Sequence, residues 1–480
     1  MSLDKNNSIL IVGGGTAGLV TALILKTRFS NLSIDLVKSD KVGIIGVGEG
    51  STEHWFDFMQ FVGISEEELI KETDATYKFG IMFEDWTDQP YFHNVVTPFD
   101  SLKFGQYYAG YAYSFINNFK PKQYTDIFAW SNKLNKSVLP KQFHFNTNKL
   151  NIYLQKKCLE KNINIFEDEI KEVVTKNNFI DCLKGHKNNY KYSFYIDSTG
   201  FKKLLISKLG SKWKSYNKYL PMNEAIAFPT LDTEEYPPYT LAKAMSSGWM
   251  WRIPTNGRWG NGYVFNNNYI NSKEAKNECE KYLGHEVYIG KNITFEAGAL
   301  DKPWVSNCVA TGLCSSFIEP LEASSIGTSI QQAFILMHLI INYDQKSIDM
   351  YNLKFKEIVE NIRDFVLLHY LVKKKTSKFW KEFEPNIPVS LQDNLEKWKS
   401  RLPIDEDFKN KYLLFFSANF AIVLNELNLL NKNKLKKEYD LLNINLRKHV
   451  ETVYKNFKSY QKDKNYIDHK KYLKSIQCRS

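Results

Sequence analysis

Apolar and polar positions alternate in two different styles along the chain. Near the N-terminus a short apolar run, Ser8 to Val12, meets a cluster of glycines and is followed by helical periodicity over 17–26. A second apolar run over 34–37 follows at the spacing of a compact β-α-β unit, which needs about thirty residues. The middle of the chain predicts a helix over 146–160. It then turns strand-rich over 163–197, ending in the run Tyr192 to Ile196. From Thr328 onward the pattern becomes helical, as over 331–341 and 358–371, with few glycines. The expected fold class is therefore α/β: a nucleotide-binding domain carrying insertions over 1–330, then a mainly helical C-terminal lobe over 331–480. No internal repeat or low-complexity tract interrupts this scheme.

Composition adds size and a ligand type. At 480 residues the chain is long enough for two lobes around a large buried interior. Aromatics reach 15%, including 10 Trp, 28 Tyr and 32 Phe, and such richness predicts rings lining a pocket for a flat ligand. The net charge of +11 suits an anionic cofactor or halide. Its lysine runs over 432–437 and 470–474 carry no interleaved aromatics, so they read as solvated helix faces, with neither nucleic acid nor membrane as a partner. Six scattered cysteines without a C-x-x-C pair indicate neither a zinc site nor a disulfide framework, which fits a reducing cytoplasm. The polar first residues and the interrupted apolar stretch over 413–424 predict neither a signal region nor a membrane span.

The glycine cluster carries the first chemistry. Gly13-Gly14-Gly15-Thr16-Ala17-Gly18 places G-x-G-x-x-G between a strand and a helix, where bare backbone approaches a pyrophosphate at the positive helix end. This marks a Rossmann-like unit, with Gly13, Gly15, Thr16, Ala17 and Gly18 as cofactor-binding candidates. The acid usual at the end of the second strand is missing: Lys38 follows Val37, and Asp40 is the nearest substitute. A second signal, Asp197-Ser198-Thr199-Gly200, ends an apolar strand in a small-residue turn and favours FAD, a dinucleotide spanning two sites, with Asp197 and Gly200 as contacts. No second G-x-G-x-x-G for a nicotinamide cofactor appears, so electrons are expected on flavin reduced elsewhere, by a partner flavin reductase or as free FADH2.

Three further segments carry a resemblance. Gly248-Trp249-Met250-Trp251-Arg252-Ile253-Pro254 with the glycine-rich 258–265 resembles the W-x-W-x-I-P signature of the flavin-dependent tryptophan halogenases. Thr76 to Trp86 is similar to that family's catalytic-lysine stretch, with Lys78 at the matching position. The segment Phe317-Ile318-Glu319-Pro320-Leu321-Glu322, after Gly312, resembles its E-P-L-E region beside flavin and halide. Gly46-Val47-Gly48-Glu49 adds Gly48 and Glu49 to the flavin contacts, and Gly312 joins them.

The resemblance implies an FAD fold of the monooxygenase and halogenase type, and an oxidoreductase that turns FADH2, oxygen and chloride, bromide or iodide into hypohalous acid. Trp249 and Trp251 would partition flavin from substrate. Lys78 would relay the oxidant by hydrogen bond or as a haloamine, and Glu322 would orient it or accept the ring proton. His93 matches a substrate-side histidine, but Val95 stands where a Phe is usual. Two other departures are Lys38 in place of Glu, and Ala323-Ser324-Ser325 in place of the Ser-Thr-Gly beside the halide. Ser324 and Ser325 then become the halide candidates through their backbone donors. The expected substrate is a small electron-rich aromatic, indole or phenol, not necessarily free tryptophan. Tyr412, Phe415, Phe416, Phe420 and Glu426 are generic pocket or core candidates. Oligomeric state is left open. The alternatives are a flavin monooxygenase or dehydrogenase on the same scaffold, and an inactive FAD-binding protein.

Overall fold

The computed structural model describes residues 3, 7–39, 41, 43, 49–94, 107–118, 133–135, 141–374, 376–459 and 466–478, with the side chains of 49, 133–135, 457–459 and 466 left out. Asp40, the 46–48 part of the Gly46 to Glu49 motif, the Glu49 side chain and Val95 thus lie outside the described residues.

Five parallel strands and one antiparallel edge build the first sheet, in the order Trp304–Val305, Cys308–Ala310, Phe194–Asp197, Ser8–Val12, Ser33–Lys38, Asn164–Glu167. Ile9, Leu10 and Ile11 are wholly buried, as expected of a parallel strand covered on both faces. The helix Thr16–Arg28 hides every residue from Gly18 to Leu25. It is wedged between the helices Thr147–Glu160 and Ser324–Leu339. The sequence pattern located both strands and the first helix to within two residues.

A second sheet of seven strands runs Lys291–Thr294, Glu224–Leu231, Arg258–Phe265, Gly248–Thr255, Thr240–Met245, Gly80–Glu84, Tyr91–Asn94. A small sheet of Glu49–Gly50, Phe143–Phe145 and Thr76–Tyr77 sits beside it, pairing Gly50 and Thr76 with His144. These pairings bring residues near 50, 78 and 144 together although the sequence separates them widely.

Helices dominate after residue 324. The 25-residue helix Gln345–His369 starts at Asp344, whose carboxylate accepts the Ser347 N–H at 2.8 Å. It buries Phe365, Val366, Leu367 and Leu368 completely, each worth about 1.5–3 kcal/mol of transfer from water. One continuous apolar core joins Leu19, Trp249, Phe365 and Leu473, and residue 330 falls inside the helix Ser324–Leu339. All six cysteines are unpaired. Among the described residues no helix is long and apolar enough to cross a membrane.

Candidate active site

The glycine turn opens onto a cavity of about 710 Å³, bounded by Gly13, Gly14, Gly15, Thr16, Ala17, Lys38, Ser198, Thr199, Gly200, Gly312 and Trp251 among others. Gly13 has φ +115°, and a Cβ there would lie 2.2 Å from the Ser198 carbonyl oxygen, so only glycine fits. Gly15 caps the helix Thr16–Arg28 without any side-chain bond to the first N–H groups. Those uncapped donors, the positive helix end and the bare backbone form a cradle for a pyrophosphate. Asn151 donates to Gly14 O at 2.7 Å and fixes the turn from the neighbouring helix. The residues present, and a cavity reaching from this turn to Trp251, fit a flavin dinucleotide.

A wall separates this cavity from what lies behind it. Trp251 faces the cavity, while Trp249 is 1% exposed and does not border it. The two rings stand 6.1 Å apart at 55°. Trp249 Nε1 donates to Glu319 Oε2 at 2.8 Å, and Tyr370 Oη donates to the same oxygen at 2.6 Å. Burial lifts the Glu319 carboxyl to about 7, against those two hydrogen bonds.

Behind the turn 320–323 lies a buried ionic cluster. Lys78, 2% exposed, donates from Nζ to Ser51 O at 2.9 Å. A Cβ added at Gly50, which borders the cavity, would stand 3.5 Å from both Lys78 Nζ and the Ala323 Cβ. The ammonium is thus one thin backbone layer from the cavity. Burial pulls its pKa from 10.5 to about 8, with the Glu322 charge opposing.

Glu322 is held by two imidazoles. His93 Nδ1 lies 3.1 and 3.0 Å from its two oxygens, and His369 Nε2 lies 3.0 Å from Oε1 but off the hydrogen-bond axis. Asn419 Oδ1 accepts the Phe416 N–H at 2.8 Å, which turns Nδ2 toward His93 Nε2 at 3.1 Å. This leaves His93 Nδ1 as the donor facing Glu322. Tyr91 Oη meets His369 Nδ1 at 2.9 Å, and with the hydroxyl as donor the Nε2 proton lies on the Glu322 side of the ring. Burial works against the Glu322 charge, yet the imidazoles outweigh it and hold the carboxyl at about 2. Burial also lowers the His369 pKa against the pull of Glu322. The cluster thus holds a fixed carboxylate beside a lysine whose proton is loosely held.

A sequence model of the tryptophan halogenase family matches residues 8–438. The chain belongs to that family. With it comes the class of flavin-dependent oxidoreductases. The halogenase is 28% identical over 461 residues to tryptophan 6-halogenase SttH of Streptomyces toxytricini, covering 85% of this chain and 86% of the relative. It is 27% identical over 463 residues to tryptophan 7-halogenase RebH of Lentzea aerocolonigenes, covering 87% and 86%. Among solved structures, a tryptophan halogenase from Shewanella frigidimarina superposes with a TM-score of 0.89 at 24% identity over 98% of this chain and 97% of that one. Xcc4156, a flavin-dependent halogenase from Xanthomonas campestris, superposes with a TM-score of 0.81 at 26% identity over 98% of each.

The halogenase's structure sorts the residues singled out by sequence. Gly13, Gly15, Thr16, Ala17, Gly200, Gly312, Trp251 and Ser325 border the cavity. Gly18 does not. A Cβ there would strike Gly13 O at 2.3 Å, so it lets helix and turn approach. Asp197 is not at the cavity either: Oδ2 accepts Leu205 and Ile206 N–H at 2.8 and 2.9 Å, and Oδ1 holds Thr199. It shapes the turn that presents Thr199 and Gly200. Lys78, His93 and Glu322 are buried, and His93 meets Glu322 in the cluster. Ser324 and Ser325 border a recess of about 10 Å³ at the start of the helix Ser324–Leu339, room for one water-sized particle. Phe415 and Phe420 pack on Phe365 at 4.1 and 5.0 Å, in the core. Sequence reasoning gave no role to Tyr91, Glu319, His369 or Asn419. His369 ends its helix, a place where a cation commonly answers the dipole, and this was the available signal.

Proposed function

We propose that this halogenase uses reduced FAD, dioxygen and a halide to halogenate an electron-rich aromatic ring of indole or phenol type. Lys78 would serve as the relay for the oxidised halogen and Glu322 as the acceptor of the ring proton. The observation that carries the reading is the placement of a fully buried lysine beside a glutamate held ionised, one backbone layer from the dinucleotide cavity.

Bound flavin, once reduced, supplies the activation of oxygen that lets a halide be oxidised to hypohalous acid. The chain's own groups do the rest. The helix Ser324–Leu339 begins without a side-chain cap and with no acid in its first turn, so its N–H groups and dipole favour an anion beside Ser324 and Ser325. Trp251 closes the cavity, and Trp249, clamped by Glu319, backs it, which keeps the organic substrate away from the flavin. Lys78 Nζ donates to Ser51 O, and an ammonium carries two further protons with which it can polarise a small oxidant. Glu322, which the two imidazoles hold in its charged form, would accept the proton that the ring loses. A separate flavin reductase would supply the reduced cofactor, since a single glycine fingerprint serves one dinucleotide.

The test is turnover with FAD, a flavin reductase, NADH and each halide, using indoles and phenols analysed by mass spectrometry. Halogenated product is expected. Hydroxylated product in its place would overturn the reading in favour of a monooxygenase.

A further inference from the structure

Three consecutive backbone N–H groups around the relay lysine bond to three separate parts of the chain. Tyr77 N donates to His469 Nε2 at 3.1 Å, Lys78 N to Gln142 O at 2.9 Å, and Phe79 N to Pro238 O at 2.7 Å. Two of these acceptors are backbone carbonyls. The third is a side chain from the far end of the sequence, beyond residue 438 where the family match stops.

His469 is built for this contact. Its ring is wholly buried, and its other nitrogen, Nδ1, lies 3.1 Å from Tyr236 O. A carbonyl can only accept, so Nδ1 carries the proton and Nε2 is left to receive the Tyr77 N–H. One neutral tautomer thus bridges the lysine strand to the segment 236–238, whose Pro238 already holds Phe79. The helix His469–Gln477 is anchored independently of that bridge. Asp468 caps it by accepting the Lys471 N–H at 2.9 Å, Leu473 and Ile476 enter the core, and Lys470 pairs with Asp232 at 2.8 Å.

We propose that His469 is a positioning residue for Lys78, so that the C-terminal helix is a working part of the active site. This rests on the relay role given to Lys78 above. By fixing Tyr77 the imidazole sets where the lysine side chain departs from its strand and keeps water from the cluster behind it. Without the bridge the strand gains freedom at the residue before Lys78. The ammonium then drifts from Ser51 O and becomes better solvated.

The experiment compares His469→Ala, His469→Gln and, as a surface control on the same helix, Lys474→Ala in the full chain with FAD. His469→Ala should lower kcat for halogenation roughly tenfold to a hundredfold, the range a small misplacement costs, with flavin affinity within about twofold of the parent. Nitrogen NMR of lysine-labelled protein should show the Lys78 titration moving up from about 8 toward the ordinary value. A glutamine offers one acceptor and one donor, so His469→Gln should recover most of the loss. Lys474→Ala should change neither readout. Unchanged kcat and unchanged Lys78 titration in His469→Ala would overturn the proposal, as would equal loss of flavin binding and turnover in both His469 variants. If the parent makes no halogenated product, the relay reading has failed, but the Lys78 titration still reports whether His469 positions it.

Discussion

The flavin cavity and the Lys78 cluster share the turn 319–323, yet they are made of different materials. On the cavity side the groups offered are bare backbone at Gly13 to Gly15, an uncapped helix end and small residues such as Ala17 and Ala323. On the other side the groups are charged and aromatic side chains, each fixed by another: Glu322 by His93 and His369, those by Asn419 and Tyr91. A backbone site tolerates change in many side chains around it but no Cβ in its turn. A side-chain cluster tolerates backbone detail but loses its function when one partner is removed. With the roles proposed above, the same contrast separates binding from chemistry.

Lys78→Met breaks the contrast most sharply. If Lys78 is the relay proposed above, halogenation should fall about a thousandfold or more, while flavin affinity stays within a factor of about two. The lysine is also costly to the fold. With its pKa lowered from 10.5 to about 8, the folded state disfavours the proton, a penalty of about 3 kcal/mol that is full below pH 8 and fades as pH rises toward 10.5. Chemical denaturation at pH 7 should therefore find Lys78→Met more stable than the parent. A variant that is both inactive and less stable would show that Lys78 supports structure.

Gly13→Ala tests the other side. With φ +115° and the Ser198 carbonyl in the way, the turn must open, and calorimetric titration with FAD should show affinity weakened about a hundredfold, in line with a strain of 1–3 kcal/mol. The Lys78 titration should not move. His369→Phe sharpens the cluster. It keeps a ring where the imidazole stacks 4.4 Å from Phe83 but removes the nitrogen that lies 3.0 Å from Glu322 Oε1. The Glu322 carboxyl should rise from about 2, and kcat should drop roughly tenfold, with an acid limb entering the pH profile.

The contrast also decides what the sequence disclosed. The strands Ser8–Val12 and Ser33–Lys38 and the helix between them were legible because a backbone site is encoded locally, in glycines placed where apolar periodicity changes. The helix Ser324–Leu339 starts four residues before the helical pattern does. Its first turns bury Ser324, Thr328, Ser329, Gln331 and Gln332, polar residues that hide the period. The cluster was legible only where a motif carried it, at Lys78, Glu322 and His93. Tyr91, His369, Asn419 and His469 arrive from four separate elements, and a buried titratable residue leaves no periodic trace. Asp197 misled for a related reason: an acid at a strand end looks the same whether it meets a ribose or, as here, its own turn.

The smallest effect concerns which form of Lys78 works. At pH 7 a lysine near about 8 is mostly ammonium, since burial lowers its value but Glu322 restrains the fall. Hydrogen bonding to the oxidant needs the cation, whereas a haloamine needs the free amine. Glu322 stays ionised between pH 6 and 9, whereas Glu319 at about 7 bonds the Trp249 side of the wall. The ammonium route predicts a kcat that falls severalfold as pH rises from about 7 to about 9, the sign expected when the protonated form is active. Measuring the profile in both the parent and Glu319→Gln separates the two groups. A fall near 8 retained in Glu319→Gln assigns the ammonium, whereas a rise through the same window assigns the amine.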